Sequence, residues 1–411
     1  MRRVCLSTVL VTLSFVSLEV SGAVEATARR TETERLERLV EEIQPAVAEL
    51  TGMPEGKQVK VIVMSRSEFK EFLVDLVAME YPDDELIRRG RCLAEIGLVP
   101  EDYDLEAGFL DLVGQEGGGL YDPRAKAFVG ISDLPPVLMT PFYQDMIVSH
   151  ELTHALQDRQ VDIVAESEVG LKNLDYEYAF RSTIEGMATV VMIAYMQDKE
   201  LDRLPDTRVF MRSGFEQRDL REFPHYLREV LISPYAEGGA FVQRWLKVNP
   251  HKQMVSLFYD IPATSEQILH PDKYLDRDEP TPIDVSGLAA AVPESWDPYY
   301  TNTLGEFDLL TLFRMYPATN PDAAEAAAGW DGLRFAAYVT PDDELVIVGS
   351  SAWDSEHDAE EFESALSEVL TGLDDPEFYH ASQSGASIYF IIGPAGTATR
   401  ESIFEALGPA R

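Results

Sequence analysis

The chain has 411 residues, of which 45% are hydrophobic and 26% are charged. This balance is typical of a globular protein, and the length favours more than one domain. The 72 acidic residues outnumber the 34 basic ones and give a formal net charge of −38. Phosphate backbones and anionic lipid surfaces repel so acidic a chain, so the composition argues against a nucleic-acid partner.

Residues 1–23 have the three-part pattern of a secretory signal peptide. Two arginines precede an apolar run over 4–18, and small residues at 20–23 provide a cleavage point after Ala23. The run is shorter than the roughly 20 apolar residues of a membrane-spanning helix. We therefore expect an exported protein, periplasmic or extracellular, that has no stable membrane insertion after cleavage. An uncleaved anchor is the alternative.

The predicted cleavage decides how many cysteines the mature chain keeps. Cys5 lies in the predicted signal peptide, which leaves Cys92 as the only thiol of the mature chain. An exported protein with one cysteine has no internal disulfide, so its stability must come from a large core or a bound metal. We expect Cys92 to be a small buried side chain rather than a reactive one.

The hydrophobic periodicity predicts a mainly helical chain up to about residue 280. Apolar residues recur at helical spacing in six segments, and they alternate in a strand and a hairpin. In chain order, the predicted elements are a helix over 31–50, a strand over 58–64, a helix over 67–79, a hairpin over 119–131, and helices over 141–158, 176–197, 224–232 and 237–248.

The pattern changes toward the C-terminus. Residues 276–302 are rich in proline and acidic residues and indicate a linker or an ordered extended segment. Beyond them, strands are predicted over 334–340, 344–350 and 386–392, and helices over 357–371 and 399–407. The expected fold class is α+β, mainly helical. Its expected parts are a domain over 24–280, a linker with connecting helices over 281–330, and a small α+β domain over 331–411.

The clearest chemistry lies in His150, Glu151 and His154. Histidines four residues apart lie one helical turn apart on the same face, so both imidazoles can reach one metal ion. Glu151 lies between them, where it can take a proton from water. The neighbouring residues are uncharged, which allows this helix to be buried. The pattern predicts a zinc site with a general base; the alternative is two histidines satisfied on a packed helix.

A catalytic zinc usually takes three protein ligands and leaves a fourth position for water. A third histidine six residues after His154 is excluded, because that position is Gln160. Glu166 and Glu168 fall in a polar connection and are expected to be solvated. Glu177 lies at a helix start, where the helix dipole alone favours an acid.

Glu185 is the third ligand that we favour. It is the only charged residue between Arg181 and Asp198, and a lone carboxylate in an apolar helix is costly unless it is paired or bound to a metal. Gly186 and Ala188 are expected to let this helix approach the histidine-bearing helix closely. The alternative is a salt bridge from Glu185 to Arg181, one turn earlier.

With these residues assembled, the sequence resembles the gluzincin zinc metallopeptidases, the group that includes thermolysin. His150 and His154 match the histidine ligands, Glu151 the general base and Glu185 the glutamate ligand. More narrowly, it is similar to a group of exported bacterial proteins with a peptidase-like domain, in the segments 150–158 (HELTHALQD), 185–188 (EGMA), 265–271 (SEQILHP) and 329–332 (GWDG). The resemblance implies a zincin-like domain over 24–280, bound Zn²⁺ and hydrolysis of peptide bonds.

One departure concerns the residue that orients a ligand histidine. Thermolysin-like enzymes carry an aspartate four residues after the ligand glutamate, where this chain has Thr189. The partner that orients His150 must therefore come from elsewhere, and Asp158 and Asp175 are candidates. The hairpin over 119–131 resembles the edge strand on which such peptidases lay an extended peptide; plain scaffolding is the other interpretation.

The sequence indicates less specifically which residues stabilise the transition state. A tyrosine or histidine donor after the ligand helix is expected, and Tyr235, His225 and His270 are candidates. Trp330 and Trp353 are expected to pack in a core. The sequence thus predicts an exported zinc metallopeptidase that acts on a peptide or protein substrate. The alternative is a zincin-fold protein that is catalytically silent, or acts on a non-peptide substrate, and serves as a binding or assembly factor of the cell envelope.

Overall fold

The computed structural model describes residues 7–114, 118–197, 201, 204–215, 220–316, 322–373 and 378–408. Its fold is mixed α+β and mainly helical, as the sequence predicts. The helices are α1 (Ser7–Thr51), α2 (Arg66–Glu80), α3 (Glu85–Ile96), α4 (Leu105–Val113), α5 (Pro141–Gln157), α6 (Ile163–Gly170), α7 (Leu174–Gln197), α8 (Thr207–Phe215), α9 (His225–Val248), α10 (Ser265–Leu269), α11 (Pro271–Asp276), α12 (Glu306–Met315), α13 (Ala323–Ala327), α14 (Glu356–Leu373) and α15 (Thr397–Leu407).

Two sheets accompany these helices. The first has the order β1-β3-β2, with β1 parallel to β3 and β2 antiparallel to it at one edge. The second is antiparallel throughout, in the order β4-β5-β6-β8-β7. The strands are β1 (Lys60–Met64), β2 (Gly119–Asp122), β3 (Ala127–Ile131), β4 (Asp297–Asn302), β5 (Trp330–Val339), β6 (Leu345–Trp353), β7 (Tyr379–Ser384) and β8 (Ser387–Ile392).

The predicted elements agree with the structure best where the hydrophobic period is strong. α5 and α7 lie within two residues of the predicted bounds at each end. The predicted break between 232 and 237 is wrong, because α9 runs as one helix through the buried Pro234. Burial of α9 along much of its length compensates for the backbone hydrogen bond that proline removes. The sequence analysis does not predict strand β7 or the helices α3, α4, α6, α8, α10 and α11.

The boundary expected near residue 331 does not coincide with an edge of the second sheet. Strand β4 lies inside the predicted linker over 281–330, yet it pairs with β5. Helix α12 follows in the same stretch and is buried along most of its length. A single hydrophobic cluster includes Val40 of α1, Phe313 of α12 and Phe362 of α14. The two predicted parts of the chain therefore share one core.

Two glycines set how closely α7 packs on α9. A methyl group added at Gly186 would overlap the backbone of Gly238, and one added at Gly238 would overlap the carbonyl of Ser182. The expectation that Gly186 faces the histidine-bearing helix is therefore wrong, because it faces α9. The reason is helical geometry: Glu185 points toward α5, and the next residue is rotated about 100° around the axis.

The N-terminal helix α1 begins at Ser7 and continues through the predicted cleavage point to Thr51. Residues 1–6 of the predicted signal peptide lie outside the described residues, and export remains a prediction. No helix within the described part of the chain is long and apolar enough to cross a membrane.

Candidate active site

Helix α5 carries His150 and His154 on one face. The helix starts with Pro141 at its first position, where proline removes no helical hydrogen bond. The two histidines are 9% and 8% exposed. Their Nε2 atoms lie 3.1 Å apart, with the ring planes at 82°. Apolar residues on the other faces of α5, including Val148 and Leu152, are buried in the core, so the helix cannot easily rotate the pair away.

Glu185 on α7 completes a cluster of three donors. Its Oε2 lies 3.1 Å from Nε2 of His150 and 3.4 Å from Nε2 of His154. These three residues form the one group of histidine, cysteine or carboxylate ligands within metal-binding distance that the described residues contain. Glu185 pairs with these two histidines on the neighbouring helix.

His154 is held by a glutamine that the sequence analysis did not single out. Its Nδ1 lies 2.8 Å from Oε1 of Gln157. Because an amide oxygen only accepts hydrogen bonds, Nδ1 carries the proton and Nε2 is left for a ligand or a metal. The Nε2 of Gln157 donates to the carbonyl of Ile184 at 2.9 Å. This glutamine therefore links α5 to α7 beside Glu185. Its position one helical turn after His154 is the feature of the sequence that could have indicated this role.

The two aspartates expected to orient His150 have other partners. Asp158 accepts hydrogen bonds from the hydroxyl of Tyr121 at 2.7 Å and from Nζ of Lys126 at 2.6 Å. Asp175 lies at the start of α7 and accepts from the backbone N–H of Ser265 at 2.7 Å. The expectation that one of them orients His150 is therefore wrong, because Asp158 bonds to the first sheet and Asp175 bonds to α10.

Glu151 lies next to the edge of the first sheet. Its Oε2 accepts a hydrogen bond of 2.7 Å from the backbone N–H of Tyr121 in β2. Burial raises the pKa of Glu151, while His154, His150 and the Tyr121 N–H act in the opposite direction. A carboxyl group with a raised pKa is better matched to proton transfer near neutral pH than an ordinary glutamate.

His154 and Glu185 shift each other's pKa. Burial disfavours the charged form of His154, but the Glu185 carboxylate outweighs burial and raises the pKa of His154 to about 9. Burial likewise opposes the charge of Glu185, but His154 and His150 hold its pKa well below its usual range. At neutral pH these shifts favour a protonated His154 beside an ionised Glu185.

His150, Glu151, His154 and Glu185 open onto a cleft of 1310 Å³. Its walls come from α2, α5, α7 and α8 and are largely apolar; they include Leu73, Phe142, Ile147, Phe180, Val209 and Phe210. Strand β2 contributes one side of the cleft through its residues 119–121. The lining suits a ligand with apolar groups.

One of the three expected stabilising residues belongs to this cleft. Tyr235 of α9 lines it and stacks on His150, with ring centroids 5.8 Å apart. His225 lies at the start of α9, where its Nδ1 is 3.4 Å from Nη2 of Arg228. The Nε2 of His270 lies 2.8 Å from Oε1 of Glu306. Neither histidine lines the cleft.

The other acids considered as ligands do not join the cluster, although Glu166 and Glu177 line the same cleft. Glu166 and Glu168 lie on helix α6 rather than in the expected polar connection. Glu177 pairs with Arg89 at 3.0 Å, and Glu166 accepts from the hydroxyl of Tyr176 at 2.5 Å. Glu168 is exposed.

The expected core residues are also in place. Cys92 is buried, which raises its thiol pKa. Trp330 and Trp353 are 1% and 3% exposed. Both predictions about these residues are confirmed.

Comparison with known proteins finds one family match, which covers part of the chain. Residues 297–398 match a family described as a domain of unknown function (DUF8575). This segment begins at β4 and ends in α15, so it corresponds to the second sheet and the helices around it. No curated protein and no solved structure matches the chain.

Proposed function

We propose that this protein is an exported zinc metallopeptidase of the gluzincin type. The observation that carries the proposal is the convergence of His150, His154 and Glu185 from two helices, with Glu151 beside them. Their donor atoms lie 3.1, 3.1 and 3.4 Å apart. Donors of a tetrahedral zinc site with bonds of about 2.0–2.1 Å are about 3.3 Å apart, so these residues fit a zinc ion as they stand.

When bound, zinc supplies a Lewis acid that polarises a carbonyl and lowers the pKa of water. The residues of the chain supply the proton transfers. Glu151 takes a proton from the attacking water and delivers it to the leaving amine. Gln157 keeps the proton of His154 on Nδ1 and so keeps its Nε2 toward the cluster. Tyr235 is the candidate donor to the negative charge that develops on the substrate oxygen.

The surroundings of the cluster support a peptide as the substrate. Within the described residues, strand β2 lies at an edge of the first sheet and pairs with β3. An extended peptide can add to such an edge through its own backbone. The edge runs into the apolar cleft beside Glu151. This arrangement brings a peptide bond to the cluster while apolar side chains are taken up by the walls.

The test combines metal analysis with one substitution. We expect about one zinc per purified chain and cleavage of members of a proteome-derived peptide library. Glu151→Gln should keep the zinc and lower kcat/KM by about 10²- to 10⁴-fold, the contribution of a general base.

The matched control is Glu360→Gln, which removes the same charge from an exposed position on α14 and should be fully active. A wild-type protein without stoichiometric zinc would sink the proposal. Bound zinc without cleavage of any library peptide would favour the binding or non-peptide alternatives.

A further inference from the structure

Strand β2 contacts the proposed general base through its own backbone. Tyr121 pairs with Phe128 on the inner side of the sheet. On the open side, its N–H donates to Oε2 of Glu151 at 2.7 Å. The side chain of Glu151 is therefore held by a backbone group whose position depends on how β2 is fixed against α5.

The side chain of the same tyrosine provides a second attachment to this helix. Tyr121 is 9% exposed, and its hydroxyl donates to Oδ2 of Asp158 at 2.7 Å. Asp158 follows Glu151 by seven residues, which is about two helical turns, so the two carboxylates lie along one face of the helix. One residue of β2 thus contacts the active-site helix at the general base and again at the end of the helix.

Asp158 is a fixed acceptor for that hydroxyl. Its side chain has no exposed surface, and it also accepts from Nζ of Lys126 at 2.6 Å and from the N–H of Ile163 at 3.4 Å. A buried carboxylate with several donors has little freedom to reorient, because every alternative position leaves a charge or a donor unpaired. The Tyr121 hydroxyl is therefore anchored to a rigid point.

We propose that Tyr121 is a positioning residue for Glu151. Its hydroxyl, anchored on Asp158, fixes the Tyr121 N–H against Oε2 of Glu151, and the other carboxylate oxygen is left to take the proton from water. The catalytic part of this inference rests on the proposed function, in which Glu151 is the general base. The geometric part, that the hydroxyl holds the N–H against Glu151, can be measured without any catalysis.

The kinetic test uses Tyr121→Phe, which removes only the hydroxyl. We expect kcat to fall by about 10- to 100-fold, since a general base displaced by a fraction of an ångström loses much of its effect. KM should change by less than about twofold, and the zinc content should stay the same. Tyr226→Phe is the matched control, because Tyr226 is 7% exposed and donates to Asp308 at 2.8 Å but does not line the cleft.

Amide hydrogen exchange at residue 121 gives a readout that needs neither zinc nor a substrate. The Tyr121 N–H lies on an open strand edge, so its protection reports the bond to Glu151. We expect Tyr121→Phe to speed this exchange by about tenfold or more beyond any change at amides that exchange through global unfolding. Tyr226→Phe should leave it as in the wild type.

The outcomes separate the two proposals. If Tyr121→Phe matches Tyr226→Phe in both kcat and exchange at residue 121, the positioning role is refuted. If the wild type binds no zinc and cleaves no peptide, yet the exchange difference is present, the proposed function fails while the anchoring of the Tyr121 N–H stands.

Discussion

The electrostatics of the metal-free cluster predict that zinc must displace a proton. The Glu185 carboxylate outweighs burial and raises the pKa of His154 to about 9, so His154 is protonated at pH 7 before metal binds. A metal requires the neutral nitrogen. Binding at pH 7 should release about one proton, and the zinc affinity should rise about tenfold per pH unit. Between pH 6.5 and 8.0 the change is about 30-fold, or about 2 kcal/mol.

Calorimetry measures both quantities. Metal-free protein is titrated with zinc at pH 7 in buffers of different ionisation enthalpy, and the slope of the observed heat against that enthalpy counts the protons released. Affinities across the pH range come from competition with a chelator of known pH dependence. His357→Ala is the control: His357 is a 75% exposed histidine paired with Glu361, and its removal should leave the proton count unchanged.

Two results would refute the reasoning. If no proton is released at pH 7, His154 is already neutral in the metal-free protein, and Glu185 does not dominate its environment. If the zinc affinity is independent of pH between 6.5 and 8.0, the same conclusion follows from a separate measurement. A proton count of about one in both the wild type and His357→Ala would locate the titrating group away from that surface histidine, as the structure requires.

Two further predictions concern the start of helix α7. Asn302 accepts from the N–H of Leu174 and donates to the carbonyl of Leu171, both at 2.9 Å. Because Asn302→Ala leaves both backbone groups without this partner, it should lower the unfolding free energy by about 2–6 kcal/mol in urea denaturation. A loss below about 1 kcal/mol would contradict this prediction. Burial raises the pKa of Asp175 to about 7, although the hydrogen bonds from Ser265 lower it. The protonated Asp175 therefore contributes stability below pH 3.8, and this contribution is lost as the pH rises to 7. Asp175→Asn should flatten the decline of unfolding free energy over this range by up to about 1.4 kcal/mol per pH unit, and an unchanged slope would refute it.

The bonds of Asn302 give the family-matched segment a structural connection to the proposed ligand helix. Asn302 ends β4, the first element of the match, and is fully buried. Two residues earlier, the hydroxyl of Tyr300 donates to Glu85 of α3 at 2.6 Å. Glu85 pairs with Arg89, which in turn pairs with Glu177 of α7. The second sheet therefore helps to hold the N-terminal turns of the helix that carries Glu185.

Much of the candidate site was predictable because its geometry is local. His150, Glu151 and His154 belong to a single helix, and the period of that helix fixes which side chains share a face. Glu185 was predictable for a different reason, since a single carboxylate in an apolar helix requires a partner. Its distance from the histidines, however, depends on the packing of α7 against α5.

Residues that act across elements were predicted poorly. The sequence analysis missed Gln157 as the partner of His154, and it named two aspartates for His150 that bond elsewhere. The partner of a histidine's second nitrogen depends on how helix α5 meets its neighbours, and no local pattern records that. Likewise, Tyr235 was one of three equal candidates until the path of α9 placed its ring on His150. No periodicity in the chain contains that information.

By itself, the sequence determined the elements that bear the chemistry and the residue types on them, because helical period, helix boundaries and the cost of a buried charge act over a few neighbouring residues. The tertiary structure alone decided which elements meet. It placed Gly186 against α9 rather than α5, joined β4 to the second sheet and set the N–H of Tyr121 against Glu151. These contacts join residues between about 30 and 50 positions apart, and their selection depends on how the apolar faces of whole elements pack into one core.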